Sequence, residues 1–238
     1  MSLTDPALHA LFWFAVTRLG ESQILLPAFA AGALWLAFAR PAWARGRLAA
    51  TAHGHDHPAR GAAWRWFAGI VAATAVTTAS KIAFLGFGLG VAAIDFTGFS
   101  GHSMYATAIL PVLGAIVFGR GGAVAGALLA LVVMVSRVEV GAHSWSEALS
   151  GLALGGAVAW WTLAHYLDHP GAVRAPLLLP IALACWLTVL PWRGPPSQTH
   201  QLVVALSLKL SGRTQPYTRH ELLHGEIHRV ATATPPAA

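Results

Sequence analysis

Long apolar stretches alternate with short polar segments along this chain. A transmembrane helix needs roughly 20 mostly apolar residues to cross about 30 Å of hydrocarbon. The stretch "PALHALFWFAVTRLG" near the N-terminus mixes apolar residues with His9 and Arg18, which is typical of an interfacial helix. The pattern predicts an all-α polytopic membrane helical bundle of about six transmembrane helices with an interfacial N-terminal helix. The six candidate spans are residues 22–40, 64–81, 103–119, 121–136, 147–167 and 175–192.

The composition agrees with lipid as the main solvent. Of the 238 residues, 56% are hydrophobic and 10% are charged, whereas soluble domains usually carry about 25% charged residues. The net charge of +6 is dispersed rather than gathered into a basic patch with aromatic residues, so we expect contact with membrane lipids and no nucleic-acid partner. A single cysteine, Cys185, excludes an internal disulfide. The N-terminus lacks the basic region and small-residue cleavage site of a signal peptide.

Two polar segments divide the chain. Residues 41–63 form a loop rich in Gly, Ala and His, and residues 193–238 form a polar C-terminal tail. We therefore predict a membrane-embedded domain over residues 1–192, followed by the tail. Arginines in the 41–63 loop favour a cytoplasmic location for that loop. The opposite face then points outward, toward the periplasm in a Gram-negative cell, although the basic residues of the tail argue the other way.

Ionisable residues at the ends of the predicted spans converge on one membrane face. Lys81 ends the second span and His102 opens the third, so both lie on the same face. The two short spans that follow cross away and return, which brings Arg137 and His143 back to that face. Ionisable residues at membrane depth are costly and usually mark functional sites. These side chains therefore predict a site at the membrane surface.

The residue types in this cluster suit phosphoryl transfer. Arg137 can bind a phosphate bidentately and Lys81 adds a point charge. The sequence "SGHS" opens a helix, whose N-terminal amide groups also favour an anion. His102 and His143 can supply a nucleophile and a proton donor. Together they provide the charge stabilisation, attacking group and acid that such a reaction needs.

Three blocks of this sequence resemble the type-2 phosphatidic acid phosphatase superfamily, whose signature is K-x6-R-P, P-S-G-H and S-R-x5-H-x3-D. The resemblance covers roughly residues 81–147. The first block matches at Lys81, but Gly88 and Leu89 stand where the family has Arg-Pro. The second block has Phe99 in place of Pro. The remaining matches are Ser100, Gly101 and His102 in the second block and Ser136, Arg137 and His143 in the third, where Glu147 stands at the position of the family's Asp.

The resemblance implies a two-step phosphatase that needs no metal and no cofactor. His143 would attack phosphorus to form a phosphohistidine, and Glu147 would orient its imidazole. His102 would protonate the leaving oxygen and then activate water. The groups that would hold the phosphoryl oxygens are Lys81, Arg137, Ser100 and the Gly101 amide. An absent Arg at position 88 removes one expected cation, worth about 1.5–3 kcal/mol as a charged hydrogen bond, so either another group compensates or the phosphate site differs.

The resemblance implies an enzyme of a bacterial inner membrane that hydrolyses a phosphomonoester or pyrophosphate on a lipid. Polyprenyl pyrophosphate, phosphatidic acid, phosphatidylglycerol phosphate and lipid A remain open as substrates. A lipid phosphotransferase of the same chemistry is one alternative. A non-catalytic protein that binds or transports a lipid phosphate is another, and the absent Arg-Pro favours it.

Several of these residues and motifs also have a purely structural interpretation. "SWSE" at 144–147 is a capping box, which is compatible with Glu147 also orienting His143. Asp95 more simply orders its loop than contacts a head group. "HELLHGEIH" at 220–228 matches the zinc pattern H-E-x-x-H, but we favour a solvated tail helix. "HGHDH" at 53–57 is better interpreted as a flexible loop than as a metal site.

Overall fold

The computed structural model describes residues 6–38, 58–167, 186, 198–225 and 227. Within these ranges the secondary structure is helical, apart from one isolated bridge between Val91 and Phe96. The predicted all-α class is therefore confirmed. The elements are α1 (Pro6–Arg18), α2 (Ser22–Phe38), α3 (Pro58–Phe87), a 3-10 turn (Ala92–Ile94), α4 (Gly101–Glu139), α5 (Trp145–Tyr166), α6 (Thr199–Ser211) and α7 (Arg219–Leu223).

Helix α4 consists of two antiparallel arms rather than one straight rod. Gly119 interrupts the helix with a φ of 67° and a ψ of −145°, a left-handed conformation that glycine adopts without steric penalty. A Cβ added to Gly122 would lie 2.0 Å from the carbonyl oxygen of Gly114, and one added to Gly126 would lie 2.3 Å from that of Leu110. These contacts require the chain to double back, so the two arms form a tightly packed hairpin. Small residues permit this close approach.

The number of membrane spans differs from the six expected. By length and composition, two of the described helices, Ala59–Phe87 and Gly101–Glu139, could cross a membrane. Helices Ala7–Arg18 and Ser22–Phe38, bent by 41° at their junction, add a third if the pair is one span. The described part of the chain therefore supports two or three spans, and the prediction of six is wrong for it.

The difference has a physical origin in three places. The expected spans at 103–119 and 121–136 correspond to the two antiparallel arms of α4, which together form one of the two candidate helices. The expected span at 147–167 coincides with α5, which is not among the helices that could cross a membrane by length and composition. The expected span at 175–192 lies, except for one residue, outside the described part of the chain.

Helices α2, α3, α4 and α5 share one buried core. At its centre Trp66 is fully buried and its ring lies edge-on to Phe29, with 4.8 Å between the ring centroids. The indole N–H of Trp66 donates a hydrogen bond of 2.9 Å to the carbonyl oxygen of Ala108. Helix α5 approaches α4 closely, because a Cβ on Gly155 would lie 2.2 Å from the carbonyl oxygen of Met104. This packing fixes the ends of α3, α4 and α5 relative to one another.

The outer surface of the bundle carries many large apolar side chains. Phe118, Leu128 and Trp160 are each more than half exposed, in two different helices. Extensive exposed apolar surface marks a protein that contacts a membrane or a partner. The exterior is therefore compatible with lipid around the long helices.

The C-terminal segment returns to the end of α3. Helix α6 packs along α3 closely enough that a Cβ on Gly86 would lie 3.0 Å from the carbonyl oxygen of Ser207. Farther on, the backbone N–H of Tyr217 donates a hydrogen bond of 2.9 Å to the carbonyl oxygen of Leu85. A small apolar cluster anchors the end of the segment. It contains Phe84, Leu85, Tyr217, Leu222 and Ile227.

Candidate active site

A cavity of about 340 Å³ opens where the ends of α3 and α4 meet the beginnings of α4 and α5. Five of the seven residues that the sequence predicted for the site contribute to its wall. The convergence follows from the α4 hairpin, whose turn returns Arg137 to the end of the bundle where His102 begins the helix. The wall consists of Lys81, Phe84, Leu85, Thr97, His102, Arg137, Ala142, His143, Glu147, His200 and Arg219.

A histidine–carboxylate pair lies at one side of the cavity. Nδ1 of His143 is 2.7 Å from Oε2 of Glu147, which is fully buried. Because a carboxylate can only accept, this hydrogen bond places the proton of the neutral imidazole on Nδ1. The lone pair then resides on Nε2. The pair thus has the tautomer that an imidazole nucleophile requires.

Glu147 also fulfils the structural role that its capping box predicted. Ser144 is the N-cap of α5, and its backbone N–H donates to Oε2 of Glu147 at 3.3 Å. Oε1 accepts hydrogen bonds from the backbone N–H of Thr97, at 2.8 Å, and from the hydroxyl of Thr97. Capping the helix and orienting His143 therefore both use Oε2 of the same carboxylate.

The ionisation of this pair follows from its surroundings. Burial alone would raise the pKa of Glu147, but hydrogen bonds from His143 and Thr97 lower it to about 2. Burial lowers the pKa of His143, and this outweighs the hydrogen bond to Glu147, which acts in the opposite direction. Both groups lie at the loop before α5 or in its first turn, outside the two long apolar helices. At neutral pH the pair is a carboxylate and a neutral imidazole.

Arg137 is held in place by a hydrogen bond to helix α1. Its Nη1 donates a hydrogen bond to the hydroxyl of Thr17 at the end of α1. Next to it, a Cβ on Gly20 would lie 2.7 Å from Val133 and 3.1 Å from the Cβ of His102. The elbow between α1 and α2 therefore packs against both arms of α4. It fixes two of the residues that line the cavity.

His102 and Gly101 lie between two adjoining cavities. His102 lines the main cavity and also a smaller one of about 90 Å³, together with Lys81. Gly101 lines only the smaller of these two cavities. Both residues belong to the first turn of α4, where backbone N–H groups lack intrahelical partners. The helix start thus faces the smaller cavity, and the histidine connects the two.

Ser100 occupies a different position from the one predicted. Its side chain is fully buried and is not part of the wall of either cavity. Its hydroxyl accepts a hydrogen bond of 3.0 Å from that of Ser103, and its backbone N–H donates one of 3.1 Å to the carbonyl oxygen of Glu147. As the N-cap of α4, Ser100 joins the start of that helix to the first turn of α5. The structure thus gives it a supporting position rather than contact with the cavity.

The loop between α3 and α4 is ordered by Asp95, as the sequence favoured. Asp95 adopts a left-handed φ of 50°. Its carbonyl oxygen accepts hydrogen bonds from the hydroxyls of Ser144, at 2.6 Å, and Ser146, at 3.3 Å. Its carboxylate accepts one of 3.1 Å from Nη1 of Arg219. The loop is therefore tied to the start of α5.

Several residues in the site were not found from the sequence. Arg219 donates from Nη2 to Oε2 of Glu147 at 2.6 Å, and His200 of α6 lines both cavities. Thr97 and Thr17 hold two of the predicted residues in place. Neither threonine belongs to a recognisable sequence motif. By contrast, "TRHE" at 218–221 predicts the start of a helix, because Thr218 and Glu221 form a capping box.

The described residues contain no group of three or more His, Cys, Asp or Glu side chains that could hold a metal. Within "HELLHGEIH", helix α7 is short, Leu222 is buried, and the rings of His220 and His224 are stacked with 4.0 Å between centroids. The "HGHDH" loop at 53–57 lies outside the described residues.

Comparison with known proteins identifies a relative of nearly full length. An uncharacterised 22.5 kDa protein in the cps region of Klebsiella pneumoniae is 29% identical over 219 residues, which are 88% of this chain and 97% of that protein. No family model matches the chain, and no solved structure matches it. This chain is therefore similar to a bacterial protein of about the same length.

Proposed function

We propose that this chain is an integral-membrane lipid phosphatase of the type-2 phosphatidic acid phosphatase kind. One observation carries the proposal: a neutral His143, oriented by Glu147, opens onto a cavity that a second histidine and several fixed cations also line. Phosphoryl transfer needs a nucleophile, an acid and charge stabilisation of the phosphoryl oxygens. A set of this kind on one cavity wall suits that reaction.

The proposed reaction has two steps. Nε2 of His143 attacks phosphorus, a P–N bond forms, and the bond from phosphorus to the leaving oxygen breaks as His102 gives that oxygen a proton. A water molecule then attacks phosphorus, gives its proton to His102, and breaks the P–N bond to release phosphate. Glu147 stabilises the positive charge that the imidazole acquires. Lys81 and Arg137 stabilise the charge on the phosphoryl oxygens.

Lipid phosphates are the substrates that we propose, as monoesters or pyrophosphates. The cavity lies at the ends of long apolar helices whose outer surface is also apolar, so a substrate anchored in the bilayer would bring its phosphate to this level. We further propose a bacterial inner membrane as the location. The arginines of the 41–63 loop favour an outward or periplasmic site.

A phosphate-release panel tests this function. Purified full-length protein in detergent with chelator present would receive phosphatidic acid, phosphatidylglycerol phosphate and a polyprenyl pyrophosphate. We expect release from at least one of these. His143→Ala should abolish release, whereas His220→Ala, a matched change at an exposed histidine of α7, should leave it unchanged.

Other outcomes would contradict parts of the proposal. Transfer of phosphate to a second lipid or a sugar instead of water would indicate a phosphotransferase. Binding of lipid phosphates without any turnover would indicate a binding or transport protein. Activity lost in chelator and in His220→Ala would contradict the metal-independent mechanism.

A further inference from the structure

We propose that Arg219 of the C-terminal segment is a phosphate-binding residue of this site and replaces the arginine that the first sequence block lacks. This inference deepens the proposed function and rests on it for the identity of the substrate. It gives a role in the site to the C-terminal segment, whose polar sequence predicts a separate tail.

The position of the absent arginine is physically occupied by the C-terminal segment. Gly88 has a φ of +70° at the end of α3, a conformation that an arginine would adopt only with strain. A Cβ at this position would lie 2.8 Å from Cγ2 of Ile227 and 3.3 Å from the ring of Tyr217. An arginine at position 88 would therefore require the docked segment to shift. In this protein the space next to position 88 is occupied by Tyr217 and Ile227 of the docked segment.

The same segment brings a different guanidinium to the cavity. Tyr217 is fixed by its backbone hydrogen bond to Leu85, and Leu222 is buried in the apolar cluster at the end of α3. Arg219 lies between these two anchors and lines the cavity. Its side chain is 34% exposed, so the guanidinium lies at the wall of the cavity rather than deep in the protein. Its position is thus set by the fold, not by a loose tail.

The contacts of Arg219 leave donors for a ligand. Nη1 donates to Asp95 at 3.1 Å and Nη2 donates to Glu147 at 2.6 Å. A guanidinium has five N–H groups in a rigid fork, so these two hydrogen bonds leave others for phosphoryl oxygens. The two carboxylates hold the fork in a fixed orientation, which lowers the entropic penalty of binding a ligand.

The charge of the cavity also favours this role. Among the residues of its wall, Lys81, Arg137 and Arg219 are cationic and Glu147 is anionic. Arg219 adds a third cation to this wall, and its charge is balanced on the protein side by Asp95 and Glu147. Arg219 therefore supplies the cation that the absent arginine would have supplied.

Binding of inorganic phosphate to full-length protein in detergent, measured by titration calorimetry, tests the inference without any turnover. We expect wild-type protein to bind phosphate and Arg219→Gln to weaken the binding by about tenfold to 150-fold, the range for loss of a charged hydrogen bond. Arg219→Lys keeps the charge but not the fork, so it should weaken binding less. The matched control is Arg213→Gln on the same segment, because Arg213 stacks on Tyr217, 3.8 Å from the ring centroid, and is not part of the cavity wall.

Each outcome distinguishes this inference from the proposed function. Equal phosphate affinity in wild type, Arg219→Gln and Arg213→Gln would overturn the inference, even if lipid phosphates are hydrolysed. Absence of phosphate binding to the wild-type protein would also overturn it. Weakened binding in Arg219→Gln but not in Arg213→Gln would support it, even if the panel shows no hydrolysis and the proposed function fails. If Arg219→Gln unfolds, the comparison of wild type with Arg219→Lys decides the question.

Discussion

Replacement of Glu147 by Gln tests the centre of the proposed site, because this carboxylate accepts more hydrogen bonds than an amide can. Five donors reach it: two from Thr97 on Oε1, and one each from His143, Ser144 and Arg219 on Oε2. Gln has the same shape but only one accepting oxygen. Whichever way the amide is oriented, its NH2 group faces a backbone N–H, of Thr97 or of Ser144, that can only donate.

The expected effects follow from these contacts. If the amide oxygen stays near His143, the backbone N–H of Thr97 is left without an acceptor, which costs about 1–3 kcal/mol of folding stability. The imidazole then keeps a hydrogen bond only to a neutral oxygen and loses the carboxylate charge opposite the positive charge that it acquires on attack. A charged hydrogen bond is worth about 1.5–3 kcal/mol, which is the upper bound for this loss, so turnover falls by up to about 150-fold. We therefore expect Glu147→Gln to be less stable and slower.

Phosphate release on the best lipid substrate and thermal unfolding in detergent measure the two effects separately. Glu139→Gln is the matched control, since Glu139 lies exposed at the end of α4 and outside the cavity wall. It should behave as wild type. Glu147→Asp retains the charge and should recover part of the turnover. Wild-type turnover in a well-folded Glu147→Gln protein would refute the reasoning.

The remaining predictions concern pH and the α4 hairpin. Burial holds the pKa of His143 below its ordinary value of 6.5, so the limb of the pH profile that reports this nucleophile should fall only below that pH. The hydrogen bond to Glu147 raises that pKa, so Glu147→Gln should move the limb to lower pH relative to wild type; a shift to higher pH would contradict the assignment. In the hairpin, Gly122→Ala puts a Cβ 2.0 Å from the carbonyl oxygen of Gly114, and we expect a loss of unfolding free energy of about 1–3 kcal/mol. Gly121→Ala, whose Cβ would meet nothing within 4 Å, should leave stability equal or slightly higher, and equal stability of the two variants would show that the arms are not packed as described.

The convergence of the site was predictable because it depends on counting helices between polar residues. Lys81, His102, Arg137 and His143 were expected on one face, and they line one cavity. The capping box at Ser144 and Glu147 was predictable for the same kind of reason, since it depends on local spacing. The count of six differs from the two or three candidate spans of the described helices because the two arms of α4 form one candidate and α5 is not a candidate. The expected span at 175–192 lies, except for one residue, outside the described part of the chain.

The contribution of the C-terminal segment was not predictable from local pattern. Its composition is polar, and the hydrogen bond from Arg219 to Glu147 joins residues far apart in sequence. Such a contact depends on the small apolar cluster around Leu222 and Phe84, which only the tertiary structure reveals. Ser100 was misplaced for a related reason: its motif predicted contact with a ligand, but the tight approach of α5 buries it. The positions of Arg219 and Ser100 therefore both depend on packing between segments that are far apart in sequence.

Because α4 doubles back at Gly119, the length of its two arms can change without moving the residues at the opposite end, where the cavity lies. One full turn of helix is about 5.4 Å long, and a turn added to each arm would extend the hairpin by that amount. His102 and Arg137 would keep their mutual placement, because both belong to the end opposite Gly119. Proteins built on this hairpin can therefore follow bilayers of different thickness without redesign of the cavity.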